Sequence, residues 1–338
     1  MKSNRQVMGQ LQRQRLVKQL QRQLRDWDPD TQCHIHYYLS KNKRCQYDQY
    51  GRVIELHLCD YDLTQIPSEV WQFSTLQDLY LSHNQLSSLP ADVGRLSSLQ
   101  RLDLEHNQLS SLPEQVWNVK GLKSLYLSHN QFRSLPEDVG RLSSLQWLHL
   151  EHNQLRTLPE PLWNLCHLCS LDLGHNQFNT LPMEIGKLSE LQFLDLDNNQ
   201  LQSLPAEIGN LSALRLLNLS HNQFRTLPMG IVKLPDLRIL RLSHNQLGTL
   251  AKEIDHVSSL KQLHLDGNQL NTLPMELSSL SSLSWLYVNN NQLSSLPMAL
   301  GNLPSLKRLH LDGNPLQTPP PKIIAQGSQA ILAYLRTM

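Results

Sequence analysis

Apolar residues recur along most of the chain in a pattern that repeats at a fixed distance. An asparagine marks each repeat, and every interval between successive markers is 23 residues. The pattern is L-x-x-L-x-[LV]-x-x-N-x-[LF]-x-x-L-P, which runs from Leu76 to Pro90 in the first full copy. Ala251 replaces the proline in one repeat, and the last repeat departs from the pattern after Leu316. Self-similarity at this period is typical of repeat architectures. The markers are Asn84, Asn107, Asn130, Asn153, Asn176, Asn199, Asn222, Asn245, Asn268, Asn291 and Asn314.

Each repeat contains two predicted elements. Its L-x-L core alternates with a period of two, which predicts a short strand with inward-facing leucines. Because so short a strand needs a partner, we expect equivalent strands to pair into one parallel sheet. The proline that follows has a fixed φ and no N–H, which suit the first position of a short helical turn. The marker asparagine follows the strand, where its amide can donate to and accept from the backbone of adjacent repeats.

These elements define a fold class and domain boundaries. The predicted fold is an α/β solenoid, a horseshoe with a parallel β-sheet on its concave face and short helical turns on its convex face. We expect an N-terminal basic helix and capping region at 1–52, about twelve repeats at 53–321 and a C-terminal capping helix at 322–338. Apolar stripes support both caps. They consist of Val7, Leu11, Leu16, Leu20 and Leu24 in the first cap and of Ile324, Ile331, Leu332 and Leu335 in the second.

Charge is unevenly distributed along the 338 residues, although the formal net charge is only +1. Residues 1–25 carry seven bases and no acid, so the remainder carries 23 bases and 29 acids. The overall balance argues against a chain that binds nucleic acid along its whole length. The basic segment admits two interpretations. We favour a solvated capping helix over a contact with an anionic membrane or nucleic acid.

Several features bear on cellular location. The first 20 residues are rich in Gln and Arg and lack the apolar region of a secretory signal. No stretch approaches the roughly 18 apolar residues of a membrane span. Five scattered cysteines, an odd number, are not typical of a disulfide framework, although a Cys33–Cys45 bridge in the cap stays open. We therefore expect a cytoplasmic protein, and we expect it to be a monomer.

Comparison of two duplicated segments distinguishes framework positions from variable ones. Residues 76–121 and 122–167 are identical at 32 of 46 positions. The two copies differ on the strands, where Arg101 corresponds to Trp147 and Asp103 to His149. Side chains at these positions are expected to point to the concave face. Variation there indicates a candidate binding surface, while drift in a weakly constrained array is the alternative.

The candidate surface combines apolar and charged strand positions. Large apolar residues at solvent-facing sheet positions are unusual and often mark an interface. Acids beside the apolar residues indicate a partner with a basic patch around an apolar knob. The candidate protein-binding residues are Tyr126, Trp147, His149, Asp172, Phe193, Asp195, Leu216, Ile239, Arg241, Trp285 and Tyr287.

A row of histidines precedes the marker asparagine in seven repeats. Imidazoles in a row invite a metal-site or pH-switch interpretation. Because duplication copies any residue that fits the turn, and because metal sites need convergent donors, we expect neither a metal nor a cofactor. Protonation near pH 6 would still place like charges about 5 Å apart and lower stability. The seven are His83, His106, His129, His152, His175, His221 and His244.

Motifs typical of enzymes are absent from the sequence. It contains no G-x-x-x-x-G-K-[ST] loop, no H-E-x-x-H and no G-x-S-x-G. Carboxylates on adjacent predicted strands, such as Asp172 and Asp195, could act as an acid/base pair, but an open sheet has no pocket that excludes water. We therefore expect a protein that is not an enzyme.

The repeat quoted above resembles the leucine-rich repeat family over about four-fifths of the chain. Its 23-residue L-P-x-x-[IV] variant is similar to the intracellular Ras-group repeats of Erbin and Scribble type scaffolds and of Roco proteins. The closing segment, GNPLQTPPPKIIAQGSQAILAYLR, is similar to the one that precedes the GTPase domain of bacterial Roco-like proteins. That GTPase domain has no counterpart in this sequence, so GTPase activity does not carry over.

The resemblance implies a scaffold or regulatory module that binds a protein on its concave face. The implied partner is a small GTPase or a signalling enzyme, and no nucleic acid is expected. Two other classes stay open. One is a secreted bacterial effector that binds host proteins, and the other is a membrane or nucleic-acid adaptor that acts through residues 1–25.

Overall fold

The computed structural model describes residues 45–337. The predictions for the basic segment 1–25, for its apolar stripe and for a bridge from Cys33 lie outside these residues. The chain forms two compact units, with the division between Leu168 and Cys169. In both units short strands alternate with short helical turns.

The first unit presents one strand per repeat and one additional strand at its start. The additional strand β1 pairs antiparallel with β2. From β2 onward, each strand pairs in parallel with the next. The strands are β1 (Cys45–Tyr47), β2 (Val53–His57), β3 (Asp78–Tyr80), β4 (Arg101–Asp103), β5 (Ser124–Tyr126) and β6 (Trp147–His149).

The second unit continues the same pattern, and its described strands pair in parallel in sequence order. The strands are β7 (Ser170–Asp172), β8 (Phe193–Asp195), β9 (Leu216–Asn218), β10 (Ile239–Arg241), β11 (Gln262–His264), β12 (Trp285–Tyr287) and β13 (Arg308–His310). The middle residue of each of these strands is a leucine opposite the leucine of its neighbour, as for Leu194 and Leu217. Parallel strands with inward leucines and short turns confirm the predicted fold class.

The turns between strands are mostly single 3-10 helices. In the first unit they are Ser68–Gln72, Ala91–Arg95, Glu137–Arg141 and Glu160–Asn164, together with the α-helix α1 (Glu114–Trp117). In the second unit they are Met183–Lys187, Ala206–Asn210, Met229–Lys233, Lys252–His256, Met275–Ser279 and Met298–Asn302. Below, the side of a unit that carries these turns is called the turn face, and the side to which the outward strand residues point is called the sheet face.

Proline lies one position outside these turns. Pro90 has φ −77° and ψ 157°, an extended conformation, and its carbonyl accepts the N–H of Val93. Proline is therefore the residue before the first helical one, and the prediction that it occupies the first helical position is wrong by one residue. Proline contacts the turn through its carbonyl oxygen, and its lack of an N–H plays no part in that contact.

Leucine fills most of the core, but aromatic rings contribute more than the low aromatic content indicates. Trp117 and Trp163 on the turns are each only 1 % exposed. Phe132, Phe178 and Phe224, which take the place of a leucine after the marker asparagine, are equally buried. The repeated tryptophans on the turn face are thus core residues and are not available for binding.

The C-terminal cap consists of two helices, α2 (Pro321–Ile324) and α3 (Ser328–Thr337), where one helix over 322–338 was predicted. The chain breaks between them because Gly327 has a φ of +85°, which ends α2. Ile331, Leu332 and Leu335 on α3 are buried. Among residues 45–337, no helix has the length and apolar character needed to cross a bilayer.

Candidate functional site

Within each unit the marker asparagines form a row, called the asparagine row, that joins neighbouring repeats, and all of them are buried except the half-buried Asn314. The Nδ2 of Asn130 donates to the carbonyl oxygens of Leu104 and Leu127 at 2.9 and 3.0 Å. Its Oδ1 accepts the N–H of Leu109 at 2.9 Å. One amide therefore satisfies buried backbone groups of two successive repeats. Asn245 makes the equivalent bonds in the second unit.

The positions immediately before these asparagines, called the histidine row, have a left-handed backbone. Where a histidine or asparagine stands there, φ lies between 49° and 56°. Histidine, asparagine and glycine are among the types that best tolerate this conformation. The row consists of His83, His106, His129, His152, His175, Asn198, His221, His244, Gly267, Asn290 and Gly313. Backbone conformation thus supplies a reason for the row that the sequence pattern alone did not show.

The histidine rings stack on one another within each unit. Four successive rings of the first unit have centroids 3.9 to 4.1 Å apart, and His221 stacks on His244 at 4.3 Å in the second. Burial, followed by the charge of neighbouring imidazoles, lowers the pKa of His106 and of His221. Both shifts favour the neutral rings. The four rings of the first unit belong to His83, His106, His129 and His152.

On the sheet face of the first unit, aromatic rings surround an arginine. The guanidinium carbon of Arg101 lies 5.8 and 5.9 Å from the ring centroids of Tyr80 and Tyr126. Its Nη1 also donates to the hydroxyl of Tyr80 at 3.1 Å. The ring of Tyr126 meets that of His149 edge-on at 4.8 Å, and burial lowers the pKa of His149. Trp147, at the first position of the same strand as His149, is 36 % exposed.

In the second unit, three apolar residues form a row across neighbouring strands. Phe193, Leu216 and Ile239 are the first residues of β8, β9 and β10, and they pair in register. Phe193 is 45 % exposed, whereas Leu216 and Ile239 are half-buried. Three of the predicted site residues therefore make one apolar row, at positions that are polar in most solvent-facing sheets.

The acids beside this apolar row are engaged with the backbone. Asp195 Oδ1 accepts the N–H of Asp197 at 3.0 Å, and its Oδ2 accepts Nδ2 of Asn218 at 2.9 Å. Asp172 Oδ1 accepts the N–H of Gly174 at 3.0 Å. Burial raises the pKa of Asp195, and these hydrogen bonds offset part of that rise. Both aspartates thus stabilise the turn after their strand, in addition to giving this part of the surface its acidic character.

The strands toward the end of the second unit carry rings and cations. Tyr287 stacks between His264 and His310, with ring centroids 4.3 and 4.6 Å away. Arg241 pairs in register with His264. Burial lowers the pKa of His264, and the charge of Arg241 lowers it further. This end of the sheet face is aromatic and cationic, whereas the strands β7–β9 are apolar and acidic.

Several contacting residues were not among the candidate binding residues, although Arg101 was expected to point to this face. Arg308 lies over the predicted Trp285, with its guanidinium carbon 5.1 Å from the ring centroid. Tyr80 and Arg101 complete the cluster around Tyr126. A comparison of the last strand position across repeats would have found more of them. In the first unit that position reads His57, Tyr80, Asp103, Tyr126 and His149, and in the second Asp172, Asp195, Asn218, Arg241, His264, Tyr287 and His310.

Cysteine thiols contribute little reactivity to the described surface. Burial raises the pKa of the Cys59 and Cys169 thiols. Since the thiolate is the nucleophile, a raised pKa makes both groups less reactive at neutral pH. The sheet face itself offers exposed rings, aliphatic side chains and charged groups.

The sequence matches family models along most of its length. A model described as "Leucine-rich repeat region" covers residues 39–153 and 160–238, which is more than half of the chain. A model described as "Leucine rich repeat" covers 212–270 and 258–316, and a third, "Leucine Rich Repeat", covers 144–165. No curated protein sequence matches the chain.

Solved structures with the same fold come from bacteria and plants. A leucine-rich repeat protein of Leptospira interrogans is 30 % identical, with 80 % of this chain and 93 % of that chain covered and a TM-score of 0.57. The plant peptide hormone receptor RGFR1, in complex with RGF2, is 27 % identical over 81 % of this chain and 52 % of its own, with a TM-score of 0.64. An internalin, InlF of Listeria monocytogenes, is 21 % identical over 92 % and 94 %, with a TM-score of 0.66, and shares the fold. The chain thus spans about half of the plant receptor chain.

Proposed function

The chain belongs to the leucine-rich repeat family, and from this we propose that it is a non-enzymatic module that binds a protein partner on its sheet face. Solenoids of this kind offer extended surfaces for recognition, and leucine-rich repeat domains generally mediate interactions between proteins. The observation that carries the proposal is the exposure of a large ring on the sheet face of each unit. Phe193 and Trp147 remain 45 % and 36 % exposed, each within its own unit.

The charge pattern of the second unit supports a partner whose surface has complementary apolar and charged groups. The apolar row of Phe193, Leu216 and Ile239 lies beside Asp172 and Asp195. A complementary partner carries an apolar side chain that covers this row and basic groups that face the two carboxylates. Because both aspartates already accept backbone hydrogen bonds, they are held in place before binding and lose little side-chain entropy.

The cationic end of the same unit extends this complementarity. Arg241 and the rings of His264 and Tyr287 lie at the same register position on three successive strands. Aromatic residues and arginine are enriched among residues that dominate binding energy at protein interfaces. A partner that meets both ends therefore presents basic groups toward β7–β9 and acidic groups toward β10–β13.

We further propose a place in GTPase-linked signalling in the cytoplasm, with a small GTPase or a signalling enzyme as the partner and the chain as a monomer. The L-P-x-x-[IV] form of the repeat supports this, because it resembles the Ras-group and Roco repeats. The plant receptor, solved in complex with RGF2, supports a polypeptide as the ligand class.

Affinity capture with mass spectrometry tests the binding surface. We expect Phe193→Ala and Trp147→Ala to lose the partners that the wild-type chain recovers. Met275→Ala is the matched control, since Met275 is an apolar residue on the turn face and is 68 % exposed. Equal recovery by the wild type, both sheet-face variants and the control would show that the sheet face is not the binding surface.

The GTPase proposal needs its own test. Purified chain is incubated with the captured GTPase loaded with either GDP or a non-hydrolysable GTP analogue, and binding is measured by calorimetry. We expect binding to differ between the two nucleotide states and to weaken at least tenfold in the Phe193→Ala variant. Capture of partners that include no GTPase or signalling enzyme contradicts this assignment but leaves the sheet-face proposal intact.

A further inference from the structure

We propose that His129, Glu151 and His152 form a binding site for a divalent transition-metal ion such as Zn²⁺. The candidate donor atoms of the three residues all lie within 4.8 Å of one another. Glu151 Oε1 is 3.4 Å from His152 Nε2. Imidazole nitrogen and carboxylate oxygen are both established zinc ligands, and a set of two histidines and one glutamate leaves a position for water. Three possible ligand atoms therefore converge at this point of the histidine row, which the sequence pattern did not reveal.

The backbone beneath the three residues is fixed. His129 and His152 have φ values of 55° and 52°, and the N–H of His129 donates to the carbonyl of Glu151 at 2.8 Å. Asn130 and Asn153, the next residues after each histidine, are buried, and each donates to a backbone carbonyl of its own repeat and to one of the preceding repeat. Since the backbone is held, a metal ion has only to reorient side chains, which reduces the entropic cost of binding.

Small side-chain movements bring the donors to metal-binding distance. Zinc–nitrogen distances of about 2.0–2.1 Å and tetrahedral angles place two nitrogens about 3.3 Å apart. The donors of His129, Glu151 and His152 therefore have to approach by roughly 1–1.5 Å, starting from separations of up to 4.8 Å. The side chains of His152 and Glu151 are 37 % and 34 % exposed, which leaves space for this movement and for entry of the ion.

Metal binding requires a change in the stacking of the histidine rings. His129 and His152 now stack at 4.0 Å with 21° between their planes, whereas His106 and His129 stack at 3.9 Å with 12°. An imidazole lone pair lies in the plane of its ring, so two parallel rings cannot both direct a lone pair at one ion. At least one of the two rings has to turn out of the stack when the ion binds, and this rotation is observable by NMR.

The duplication supplies a matched control within the same unit. His83, Glu105 and His106 lie 46 residues before the proposed ligands and have the same sequence order. There the Ser128 hydroxyl hydrogen-bonds to the Glu105 carboxylate, which lowers the pKa of Glu105 against the larger effect of burial. Glu105 is thus held by a serine, whereas Glu151 faces an imidazole.

A second control lies in the other unit. His221 and His244 stack at 4.3 Å, but the residues that precede them are serines, Ser220 and Ser243. This pair therefore offers two imidazoles without an adjacent glutamate. If imidazole stacking alone were sufficient for metal binding, this pair would bind as well as the proposed site.

Calorimetric titration of the chelator-treated full chain with Zn²⁺ tests the proposal. We expect Glu151→Gln and His152→Asn each to weaken one binding event at least tenfold, and Glu105→Gln and His244→Asn to leave it unchanged. Asparagine is used because Asn198 already occupies this left-handed position. Circular dichroism confirms that each variant is folded. An unchanged titration in either proposed-site variant, or an equal loss in either control, overturns the three-ligand site.

Spectroscopy separates this site from adventitious binding to cysteines. With Co²⁺ as the probe, we expect d–d absorption without the sulfur-to-cobalt charge-transfer band that thiolate ligands give. In parallel, NMR of histidine ring protons should show the resonances of His129 and His152 shifting on Zn²⁺ addition, while those of His221 stay in place. A strong thiolate charge-transfer band, or equal shifts of His221, contradicts the proposal.

Discussion

The asparagine row and the histidine row are adjacent in sequence, yet they repeat for different reasons. The asparagine row is buried apart from the half-buried Asn314, and its side-chain amides bond to backbone groups, as Asn130 does in two successive repeats. The histidine row is more exposed, and its backbone requires a positive φ that histidine, asparagine and glycine all tolerate. The recurrence of a residue type at a fixed period therefore does not reveal whether the position requires the bonds of its side chain or only the backbone conformation that the residue tolerates.

Removing one asparagine should give the largest loss of stability. Asn130→Ala leaves the buried N–H of Leu109 without its partner, and it removes one of the two asparagine hydrogen bonds that each of the Leu104 and Leu127 carbonyls accepts. A buried unsatisfied group costs about 1–3 kcal/mol and a lost hydrogen bond about 1 kcal/mol, so we expect the free energy of unfolding to fall by roughly 4 kcal/mol. Urea denaturation followed by circular dichroism measures it. A loss below about 1 kcal/mol would show that the row is not a structural one.

A substitution in the histidine row should cost less and depend on backbone tolerance. His221→Val places a β-branched residue at a φ of 53°, which we expect to cost about 1–2 kcal/mol. His221→Asn removes the same ring stack but keeps a residue type that accepts the conformation. We expect Asn to be nearly neutral in the same urea experiment. Equal losses for the two variants would assign the row to ring stacking and not to φ.

The histidine row should also respond weakly to pH. Burial, then the charges of His244 and His175, lower the folded-state pKa of His221, while Asp197 acts in the opposite direction. The unfolded chain then binds more protons in the window below about pH 6.5, so stability decreases as pH falls through that value toward the folded-state pKa. We expect the decrease in Tm from pH 8 to pH 5 to be smaller in a His221→Asn/His244→Asn double variant. A pH dependence identical to that of the wild type would exclude this contribution.

The smallest effect on stability is expected on the exposed strand positions. Phe193→Ala removes a half-exposed ring from the sheet face and leaves the inward Leu194 in place. We expect a change in the free energy of unfolding of about 0.5 kcal/mol or less, together with the loss of partner binding proposed above. A large destabilisation would instead place Phe193 among the residues that hold the repeats together.

Periodicity alone predicts most of the fold. The strands, the turns and the inward leucines follow from a 23-residue pattern, because each position has the same environment in every repeat. The same regularity hides exceptions such as Gly327, whose positive φ divides the C-terminal cap into two helices. The predicted position of proline was wrong by one residue because the fixed φ of proline suits both the extended position before a helical turn and the first position inside it.

The candidate surface was less predictable than the fold. The apolar row of Phe193, Leu216 and Ile239 could be derived by counting strand positions, since register follows from the repeat. The contacts of Arg101 with two tyrosine rings depend on side-chain reach across strands, which no periodicity specifies. The backbone bonds of the aspartates were missed for the same kind of reason, since the sequence shows a charge but not the group that it faces.

The two ends of the described sheet strands decide how long the array can grow. An array of like repeats has no intrinsic length, because the edge that receives the next repeat can equally receive another molecule. At the start of the first unit, β1 runs antiparallel to β2 and covers that edge with a strand of the wrong direction. At the end of the second unit, the Ser328 hydroxyl accepts the N–H of Leu309 and donates to its carbonyl. In the part of the chain that the structure describes, both features occupy backbone groups that a further parallel strand would use, and they therefore act against edge-to-edge pairing with another molecule.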